Sequence, residues 1–224
     1  MSFIDQHTND PLILCCIIVF IVAVMVQLYY ALFIFYKLAL YKALNPNKNP
    51  ELPISVIIAA RNESKTLDKN LCSILKQEYP QFEVIVVNNN SVDDSNEVLK
   101  EYQNKFKNLQ IVSLNSPKHI TKGKKLPLTL GIKAAKYENL VFTDADCVPS
   151  SGQWLNRMAQ KFEEGNEIVL GYGPHKKTKT LVNKIIRFDT SWIAINYFAF
   201  ALKGIPYMGV GRNLAYTKTA YHWW

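Results

Sequence analysis

The chain has 224 residues, of which 49% are apolar, which allows one domain of ordinary size with a packed core plus an appendage. Its formal net charge of +8 favours an anionic partner, such as a phosphate group, a nucleic acid or an anionic lipid surface. The absence of a recognition motif argues against nucleic acid. The four cysteines are scattered, and their spacing indicates neither a zinc site nor a disulfide framework.

The first element is an uncharged run of 26 residues at positions 11–36. At about 1.5 Å per residue, a helix of this length exceeds the roughly 30 Å hydrocarbon core of a bilayer, so a tilted transmembrane helix is predicted. A buried core helix is the alternative, but such helices are rarely so long and so uniformly apolar. A cleaved signal peptide is disfavoured because no lysine or arginine precedes the run and the run is too long.

Charged residues on either side of this run orient the helix. Two acidic residues precede it and three lysines follow it: Asp5, Asp10, Lys37, Lys42 and Lys48. The positive-inside rule then places the rest of the chain in the cytoplasm, on a single-pass anchor. The predicted division is an anchor at residues 1–42, a polar linker at 43–52 and one main domain at 53–224.

Beyond the linker, apolar segments rich in β-branched residues alternate with segments of helical periodicity. Four buried strands are predicted at residues 54–60, 82–89, 109–114 and 139–146, and a short fifth strand within 167–172. Helices are predicted within residues 61–79, 91–106, 126–136 and 152–163, the first with Asn62 or Ser64 as its cap. This alternation predicts an α/β fold with a doubly wound, mostly parallel sheet and helices on both faces.

Ligands of such sheets bind at the carboxyl ends of the strands. Three loops meet at that edge: residues 59–63, 88–91 and 144–146. No G-x-G-x-x-G follows the first strand, and no G-x-x-x-x-G-K-[ST] occurs, so the dinucleotide and P-loop classes are disfavoured. A nucleotidyltransferase would need a glycine-rich phosphate loop after the first strand, and "AARNES" contains no glycine.

Asp144 and Asp146 end the fourth predicted strand. Residues two apart in an extended segment point to the same side, so the two carboxylates are expected to share one small volume. Their repulsion is relieved by a hard divalent cation, Mg²⁺ or Mn²⁺, which keeps sites open for phosphate oxygens. The D-x-D pattern alone is weak, because solvated acidic loops are common.

Four motifs in order give this pattern its context: "ISVIIAARNES", "FEVIVVNNNSVDDS", "GKKLPLTLGIKAAKYENLVFTDADC" and "GVGRNLAYTKTAY". Together they resemble family 2 glycosyltransferases with the GT-A fold, and more closely the membrane-anchored bacterial members, over residues 53–222. The resemblance implies a nucleotide-sugar donor, most often a UDP-sugar, a glycan or lipid-linked acceptor, inversion at the sugar, and the bacterial inner membrane.

The resemblance also implies site residues. The donor-binding set is Ala59, Ala60, Arg61, Asn62, Glu63, Asn89, Asn90, Lys124 and Asp144. In this set the first loop lines the nucleotide pocket, Asn89 and Asn90 of the second loop face the base, and Lys124 lies near the diphosphate. Asp144 and Asp146 are the implied metal residues, with Asp146 as the direct ligand. The implied acceptor-side residues are Gly211, Arg212 and Asn213.

The chain departs from the family pattern in several places. Asn88 and Asn89 stand where the family usually carries acids, which leaves the base preference open, and Pro127 and Thr129 also differ. No acidic motif follows "GRNLAY" to supply the general base, and none of the later acids fits that role: Glu163, Glu164, Glu167 and Asp189. We therefore expect a C-terminally truncated sequence; the alternative function is donor binding without turnover.

Two basic segments each have two interpretations. Residues 175–203 begin basic and become aromatic and apolar, which suits a helix in the membrane interface or a core helix that covers the sheet. The lysines of the loop before the third predicted helix either neutralise the donor diphosphate or form a solvated loop: Lys118, Lys122, Lys124 and Lys125.

Overall fold

The computed structural model describes residues 11–42, 50–114 and 123–221. Its first helices are α1 (Pro11–Tyr29), a π-helical segment (Tyr30–Phe35) and α2 (Tyr36–Ala39). Next come β1 (Ile54–Ala60), α3 (Ser64–Leu75), β2 (Phe82–Asn89), α4 (Ser95–Lys105), β3 (Leu109–Leu114), α5 (Lys125–Ala134) and β4 (Asn139–Asp144). The last are α6 (Trp154–Glu163), β5 (Ile168–Leu170), α7 (Leu181–Leu202), a 3₁₀ helix (Gly211–Asn213), β6 (Leu214–Thr217) and α8 (Lys218–Tyr221).

These elements form two compact units. The helical unit combines Met1–Ala43 with Pro174–Met208, and the sheet unit combines Leu44–Gly173 with Gly209–Trp224. Most of the predicted linker lies outside the described residues, as do Lys118 and Lys122 of the second basic segment.

The helical unit contains the predicted transmembrane segment. Pro11–Ala39 is a continuous helical stretch of 29 residues, long and apolar enough to cross a membrane, and the mean hydropathy of an 18-residue window within it is 2.9. None of the residues of α1 is buried. A soluble core helix would hide most of its surface, so the exposure of α1 does not fit that alternative.

The sheet unit is built on six strands in the order β3-β2-β1-β4-β6-β5. The first four are parallel, whereas β6 pairs antiparallel with both β4 and β5. Ala59 is paired with Asp144, and Ala60 with Asn88, so the carboxyl ends of β1, β2 and β4 lie side by side. This register brings the three loops predicted to bind ligand to one edge.

Apolar side chains cover both faces of the sheet, as parallel strands buried on two sides require. On one face, Val56 and Ile58 pack with Leu67 of α3 and Leu155 of α6, and Leu99 of α4 belongs to the same cluster. The other face has a smaller cluster: Ile57, Ile85, Val87, Ile132, Ala135, Leu140 and Phe142. The predicted α/β fold, with a mostly parallel sheet and helices on both faces, is confirmed.

Helix α5 approaches the sheet closely at a glycine. A Cβ atom added to Gly131 would lie 2.6 Å from Cγ2 of Ile57 and 3.2 Å from Cγ2 of Val87. Only a residue without a side chain fits there. The close approach fixes α5, which begins at the site described below.

Candidate functional site

A cavity of about 290 Å³ opens at the carboxyl edge of the parallel strands. Its walls come from the ends of β1, β2 and β4 and from the start of α5. The lining residues are Ala59, Ala60, Arg61, Glu63, Asn89, Gly123, Lys124, Pro127, Asp144, Ala145 and Asp146. Eight of these are residues that the sequence analysis assigns to the donor or metal site. The sequence does not predict Gly123, Pro127 and Ala145 as site residues, because they carry no charged or amide side chain and only form part of the cavity wall.

Asn62 and Asn90 are not among the lining residues, and both have left-handed backbone conformations, with φ of 54° and 51°. Asparagine adopts this conformation more readily than most residues. The backbone N–H of Asn62 donates to Ser91 Oγ at 3.0 Å, and its Oδ1 accepts from the backbone N–H of Val92 at 2.8 Å. In the structure, Asn62 therefore joins the loop after β1 to the loop after β2.

Asp93 strengthens the same junction. Its carboxylate accepts from the backbone N–H of Ser64 at 3.0 Å and from the hydroxyl of Ser95 at 2.6 Å. The hydroxyl of Ser95 accepts in turn from the backbone N–H of Glu63 at 3.0 Å. Burial alone would raise the pKa of Asp93, but the hydrogen bonds from Ser95 and Ser64 outweigh it and lower the pKa to about 2.

These contacts also correct the predicted cap of α3. Glu63 occupies the N-cap position and makes no side-chain capping bond, so neither Asn62 nor Ser64 caps the helix. The acceptors for the first N–H groups of the helix come from the loop after β2, about 30 residues along the chain. A local sequence pattern cannot reveal a capping residue at that distance.

Lys124 and Asp144 form an ion pair across the cavity. Lys124 Nζ lies 2.6 Å from Asp144 Oδ1, with side-chain exposures of 65% and 36%. An exposed pair of this kind contributes little to stability, typically about 0–1 kcal/mol. The pair matters for binding instead, because Lys124 at the N-cap position of α5 provides a positive charge at the mouth of the cavity.

The sequence predicts that Asp146 ends the fourth strand, but in the structure Asp146 lies beyond β4. The strand ends at Asp144, and a turn follows in which the backbone N–H of Cys147 donates to the carbonyl of Asp144 at 3.0 Å. The turn nevertheless brings the side chains together: one potential ligand atom each from Asp144, Asp146 and Cys147 lies within 4.8 Å of the other two. Two carboxylates so placed fit a hard divalent cation, which favours oxygen ligands.

Cys147 contacts the same group of atoms. Its Sγ donates to Asp146 Oδ1 at 3.6 Å. Burial raises the pKa of the thiol, and the charge of Asp146 raises it further. The thiol therefore remains protonated near neutral pH and acts here as a hydrogen-bond donor.

Asn88 and Asn89 differ in their contacts. Asn88 Oδ1 accepts from the backbone N–H of Ser91 at 3.3 Å, which closes the turn after β2. Asn89 is 6% exposed, and its Oδ1 is buried without a hydrogen-bond partner among the described residues. A buried acceptor without a partner is costly, and because Asn89 is also a lining residue of the cavity, it is a candidate contact for a donor group of a ligand bound there.

A second cavity of about 360 Å³ adjoins the first and shares Lys124 and Asp144 with it. Its other lining residues are Leu128, Phe142, Thr143, Val210, Gly211, Arg212, Leu214 and Tyr216. The rings of Phe142 and Tyr216 stack with centroids 4.4 Å apart. Neither ring is predicted from the sequence as a site residue, although Phe142 precedes Asp144 by two positions on β4 and so shares its side of the strand.

Among the predicted acceptor-side residues, Gly211 and Arg212 line this second cavity. Asn213 is held elsewhere: its Oδ1 accepts from Trp154 Nε1 at 2.9 Å, and its Nδ2 donates to the carbonyl of Tyr172 at 3.0 Å. In the structure this amide braces the 3₁₀ helix against α6 and the end of β5. An acceptor role for Asn213 stays a prediction.

None of the acidic residues after Asp146 lines either cavity: Glu163, Glu164, Glu167 and Asp189. Glu164 instead pairs with Lys161 at 2.8 Å. Beyond Asp144, Asp146 and Glu63, the described residues place no carboxylate in the walls of the two cavities to accept a proton from a substrate.

The fold and the site define a class of protein: an α/β protein with a cavity at the carboxyl edge of a mostly parallel sheet, lined by basic side chains and by paired carboxylates. Residues 55–217 match the family model for glycosyl transferase family 2, and the chain belongs to that family. The predicted family is confirmed, and with it the prediction that the chain contains a glycosyltransferase domain.

One sequence relative is a poly-β-1,6-N-acetyl-D-glucosamine synthase of Staphylococcus epidermidis, 38% identical over 95 residues. The match covers 42% of this chain and 22% of the relative. The chain thus spans well under half the length of this curated relative.

Two solved structures are also similar. A mannosyltransferase from Pyrobaculum calidifontis in complex with GDP-Man and Mn²⁺ aligns with a TM-score of 0.65 and 19% identity, over 88% of this chain and 53% of that one. This likeness supports the fold alone. TarS 1-349 of S. aureus in complex with UDP-GlcNAc aligns with a TM-score of 0.50 and 26% identity, over 58% of this chain and 37% of that one.

Proposed function

We propose that the sheet unit binds a nucleoside-diphosphate sugar and that the whole protein transfers the sugar to an acceptor. The observation that carries this proposal is the convergence of Arg61, Lys124, Asp144 and Asp146 on one cavity at the carboxyl edge of the sheet. Cations at the cavity suit a diphosphate, and paired carboxylates suit a divalent cation that binds the diphosphate as well.

A UDP-sugar is the proposed donor. TarS, which is 26% identical over the aligned part, was solved in complex with UDP-GlcNAc. In this chain, Ala59, Ala60 and Glu63 wall the nucleotide pocket together with Arg61, and Asn62 and Asn90 shape the loops around it. The unpaired Oδ1 of Asn89 is a suitable acceptor for the imide N–H of uracil.

Mg²⁺ or Mn²⁺ is the proposed cofactor, held by Asp144 and Asp146. When bound, such an ion stabilises the charge that develops on a diphosphate leaving group. Lys124 adds a second positive charge beside Asp144, and a bound diphosphate competes with that carboxylate for the ammonium group. The chain's own contribution is thus to bind and orient the diphosphate.

The second cavity is the proposed acceptor side. It adjoins the donor cavity at Lys124 and Asp144, and its wall combines Gly211 and Arg212 with apolar and aromatic side chains. Aromatic rings and apolar walls suit the faces of a sugar or a lipid-linked glycan. Inversion of the sugar by single displacement is proposed from family membership.

The bacterial inner membrane is the proposed location, with one transmembrane helix at Pro11–Ala39 and the sheet unit in the cytoplasm. The length and apolar surface of that helix support the anchor, and the lysines after it support the orientation. Nucleic acid is not a proposed partner.

Donor binding without turnover is the second candidate function for these 224 residues. The observation that favours it is the lack of a carboxylate, beyond the metal-site pair and Glu63, in the walls formed by the described residues. General-base catalysis typically contributes about 10²–10⁴-fold, so a chain without it would bind donor but transfer sugar slowly.

Calorimetric titration of the full chain in detergent with UDP and GDP, with and without Mn²⁺, tests the binding step. We expect metal-dependent UDP binding that Asp146→Asn weakens, and metal-independent binding or none at all would contradict the proposed site. Release of the sugar from UDP-GlcNAc and other UDP-sugars, followed by chromatography, then separates the two functions. Product formation supports the enzyme, and binding without product supports the second candidate.

A further inference from the structure

An apolar stripe on α7 is exposed to solvent in the structure. Leu181, Ile185, Phe188, Trp192 and Ile195 follow one another at alternating spacings of four and three residues, which places them on one face of the helix. Their exposed fractions are 71%, 59%, 73%, 53% and 40%. Single exposed apolar residues are ordinary, but a continuous stripe of this size marks a surface that is covered by a partner.

The segment around the stripe is strongly basic. Pro174–Met208 contains six basic residues and one acidic residue, Asp189. Five of the basic residues precede or flank the stripe: Lys176, Lys177, Lys179, Lys184 and Arg187. The four lysines among these are exposed, so their charge is available to an anionic surface.

The position of α7 in the helical unit identifies that surface. Trp192 contacts Phe35 with ring centroids 6.4 Å apart, and Phe200 contacts Tyr30 at 6.3 Å. Lys37 Nζ also donates to the carbonyl of Leu202 at 3.2 Å. Helix α7 is therefore packed on the C-terminal end of the apolar stretch. Lysines and aromatic residues at the end of such a stretch mark the boundary between hydrocarbon and water.

A second transmembrane span does not explain the stripe. Within the described residues, Pro11–Ala39 is the one helix that is long and apolar enough to cross a membrane. Helix α7 has Lys184, Arg187 and Asp189 in its first half. Charges of this kind beside an apolar stripe are typical of a helix that lies in the plane of the interface, with lysine stems reaching up to the head groups.

We propose that residues 176–195 form a second membrane contact, in which the stripe from Leu181 to Ile195 lies among the acyl chains of an anionic bilayer. The basic residues then bind the lipid phosphates, and this excess of positive charge is why the proposed partner is a lipid surface and not a second protein. The proposal does not depend on the proposed glycosyl transfer, since the contact forms without donor or acceptor.

Fluorescence quenching by brominated lipids tests this contact directly, because the apolar stretch Pro11–Ala39 contains no tryptophan. The full chain is reconstituted in phosphatidylcholine vesicles with and without phosphatidylglycerol, each containing brominated acyl chains. We expect a quenched component that disappears in Trp192→Phe and that is larger when phosphatidylglycerol is present. No difference between the wild type and Trp192→Phe would overturn the proposal.

Two sets of substitutions separate the apolar and the electrostatic parts. Phe188→Asp should reduce quenching of Trp192, whereas Thr190→Asp, with the same charge on the opposite side of the helix, should not. Replacement of Lys176, Lys177 and Lys179 by glutamine should remove the increment from phosphatidylglycerol. Equal effects of the two aspartates would overturn the proposal, and so would an increment that is unchanged without the lysines.

Discussion

Three side chains at the edge of the sheet have different electrostatic surroundings. Asp144 is paired with Lys124, Asp146 receives a weak bond from a thiol, and the carbonyl oxygen of Asn89 has no partner in the described chain. Each arrangement leaves bonding capacity for a ligand of different chemistry: a cation at the carboxylates, an anion at the lysine, and a donor group at the amide. A metal-bound nucleoside diphosphate presents all three.

Removal of the carboxylate of Asp146 tests the metal site. Asp146→Asn keeps the shape of the side chain but removes its charge, so the affinity for UDP in the presence of Mn²⁺ should fall by at least about tenfold. Replacement of residues that only support metal ligands already lowers metal affinity by about tenfold or more, and a direct ligand should matter at least as much. Calorimetric titration of UDP at several Mn²⁺ concentrations measures this change. Glu164→Gln is the matched control, since its carboxylate pairs with Lys161 away from both cavities; an equal loss in the control would contradict the assignment.

The amide of Asn89 tests the base contact. Asn89→Ala removes the unpaired acceptor, and the loss of one hydrogen bond worth about 0.5–1.5 kcal/mol should weaken UDP binding by about 2- to 12-fold. Binding of pyrophosphate, which has no base, should be unchanged and serves as the control ligand. If both ligands lose affinity to the same extent, Asn89 acts on the diphosphate or on folding and not on the base.

At the scale of elements, the loops after β1 and β2 behave as one piece. Asn62 bonds to the second loop in both directions, and Asp93 holds the first turn of α3 through Ser64. The residues that line the cavity are thus fixed by neighbours that do not line it. Such support from outside the cavity is what keeps a binding site in its working geometry.

Asp93 makes this support dependent on pH. Its pKa is lowered from 3.8 to about 2 in the folded chain, so its contribution is complete above about pH 4 and is lost as the pH falls towards 2. Asp93→Asn should lower the free energy of unfolding near neutral pH by about 1 kcal/mol, because one of the two acceptor oxygens that bond to Ser64 and Ser95 becomes an NH₂ group that cannot accept. Thermal unfolding between pH 7 and 2.5 measures the difference between variant and wild type, which should shrink at the acid end.

The neighbouring acid provides the control for that comparison. Asp94 occupies the N-cap position of α4 and makes no side-chain capping bond, so Asp94→Asn should change stability much less than Asp93→Asn. Equal effects would indicate a general charge effect and not the specific bonds of Asp93.

The contact between α5 and the sheet gives a steric prediction. Alanine at position 131 would gain about 1 kcal/mol of helix propensity over glycine, but its Cβ would lie 2.6 Å from the buried Ile57 Cγ2. Overpacking of this kind typically costs about 1–3 kcal/mol, so Gly131→Ala should destabilise the fold on balance. Urea unfolding measures it, and Ile57→Leu, which removes the clashing methyl, should reduce the penalty in the double variant. A Gly131→Ala variant more stable than the wild type would contradict the close packing.

These elements also show which features a sequence can reveal. The bounds of β1, β2 and β3 agree with the prediction, because strands buried on both faces are continuous apolar runs that end at polar loops. Strand β6 was not predicted, since its four residues acquire their role only by insertion between β4 and β5. Asp146 was placed on the strand because the sequence does not reveal the local turn that follows Asp144. The hydrogen bonds of Asn213 were not predicted because both partners, Trp154 and Tyr172, are distant in sequence.

At the scale of the whole molecule, charge and apolar surface are segregated along the chain. The first 36 residues contain no lysine or arginine, and all 26 basic residues follow them. Lys37 directly follows the uncharged stretch, and it contacts the end of α7, whose segment also carries an excess of basic residues. This asymmetry is a signal for membrane insertion in one direction, because basic residues next to a span are retained on the cytoplasmic side.

The proposed orientation of the anchor is based on that asymmetry. With short epitope tags at both ends of the full chain in bacterial cells, external protease should remove the N-terminal tag from spheroplasts and should reach the C-terminal tag only after lysis. Lys37→Gln combined with Lys42→Gln should increase the inverted fraction, because these lysines lie within the short region that determines orientation. Lys161→Gln, in the sheet unit and far from the span in sequence, should leave the fraction unchanged. A protected N-terminal tag with a cleaved C-terminal tag in the wild type would place the sheet unit outside the cytoplasm, away from the supply of nucleotide sugars, and so contradict the proposed location.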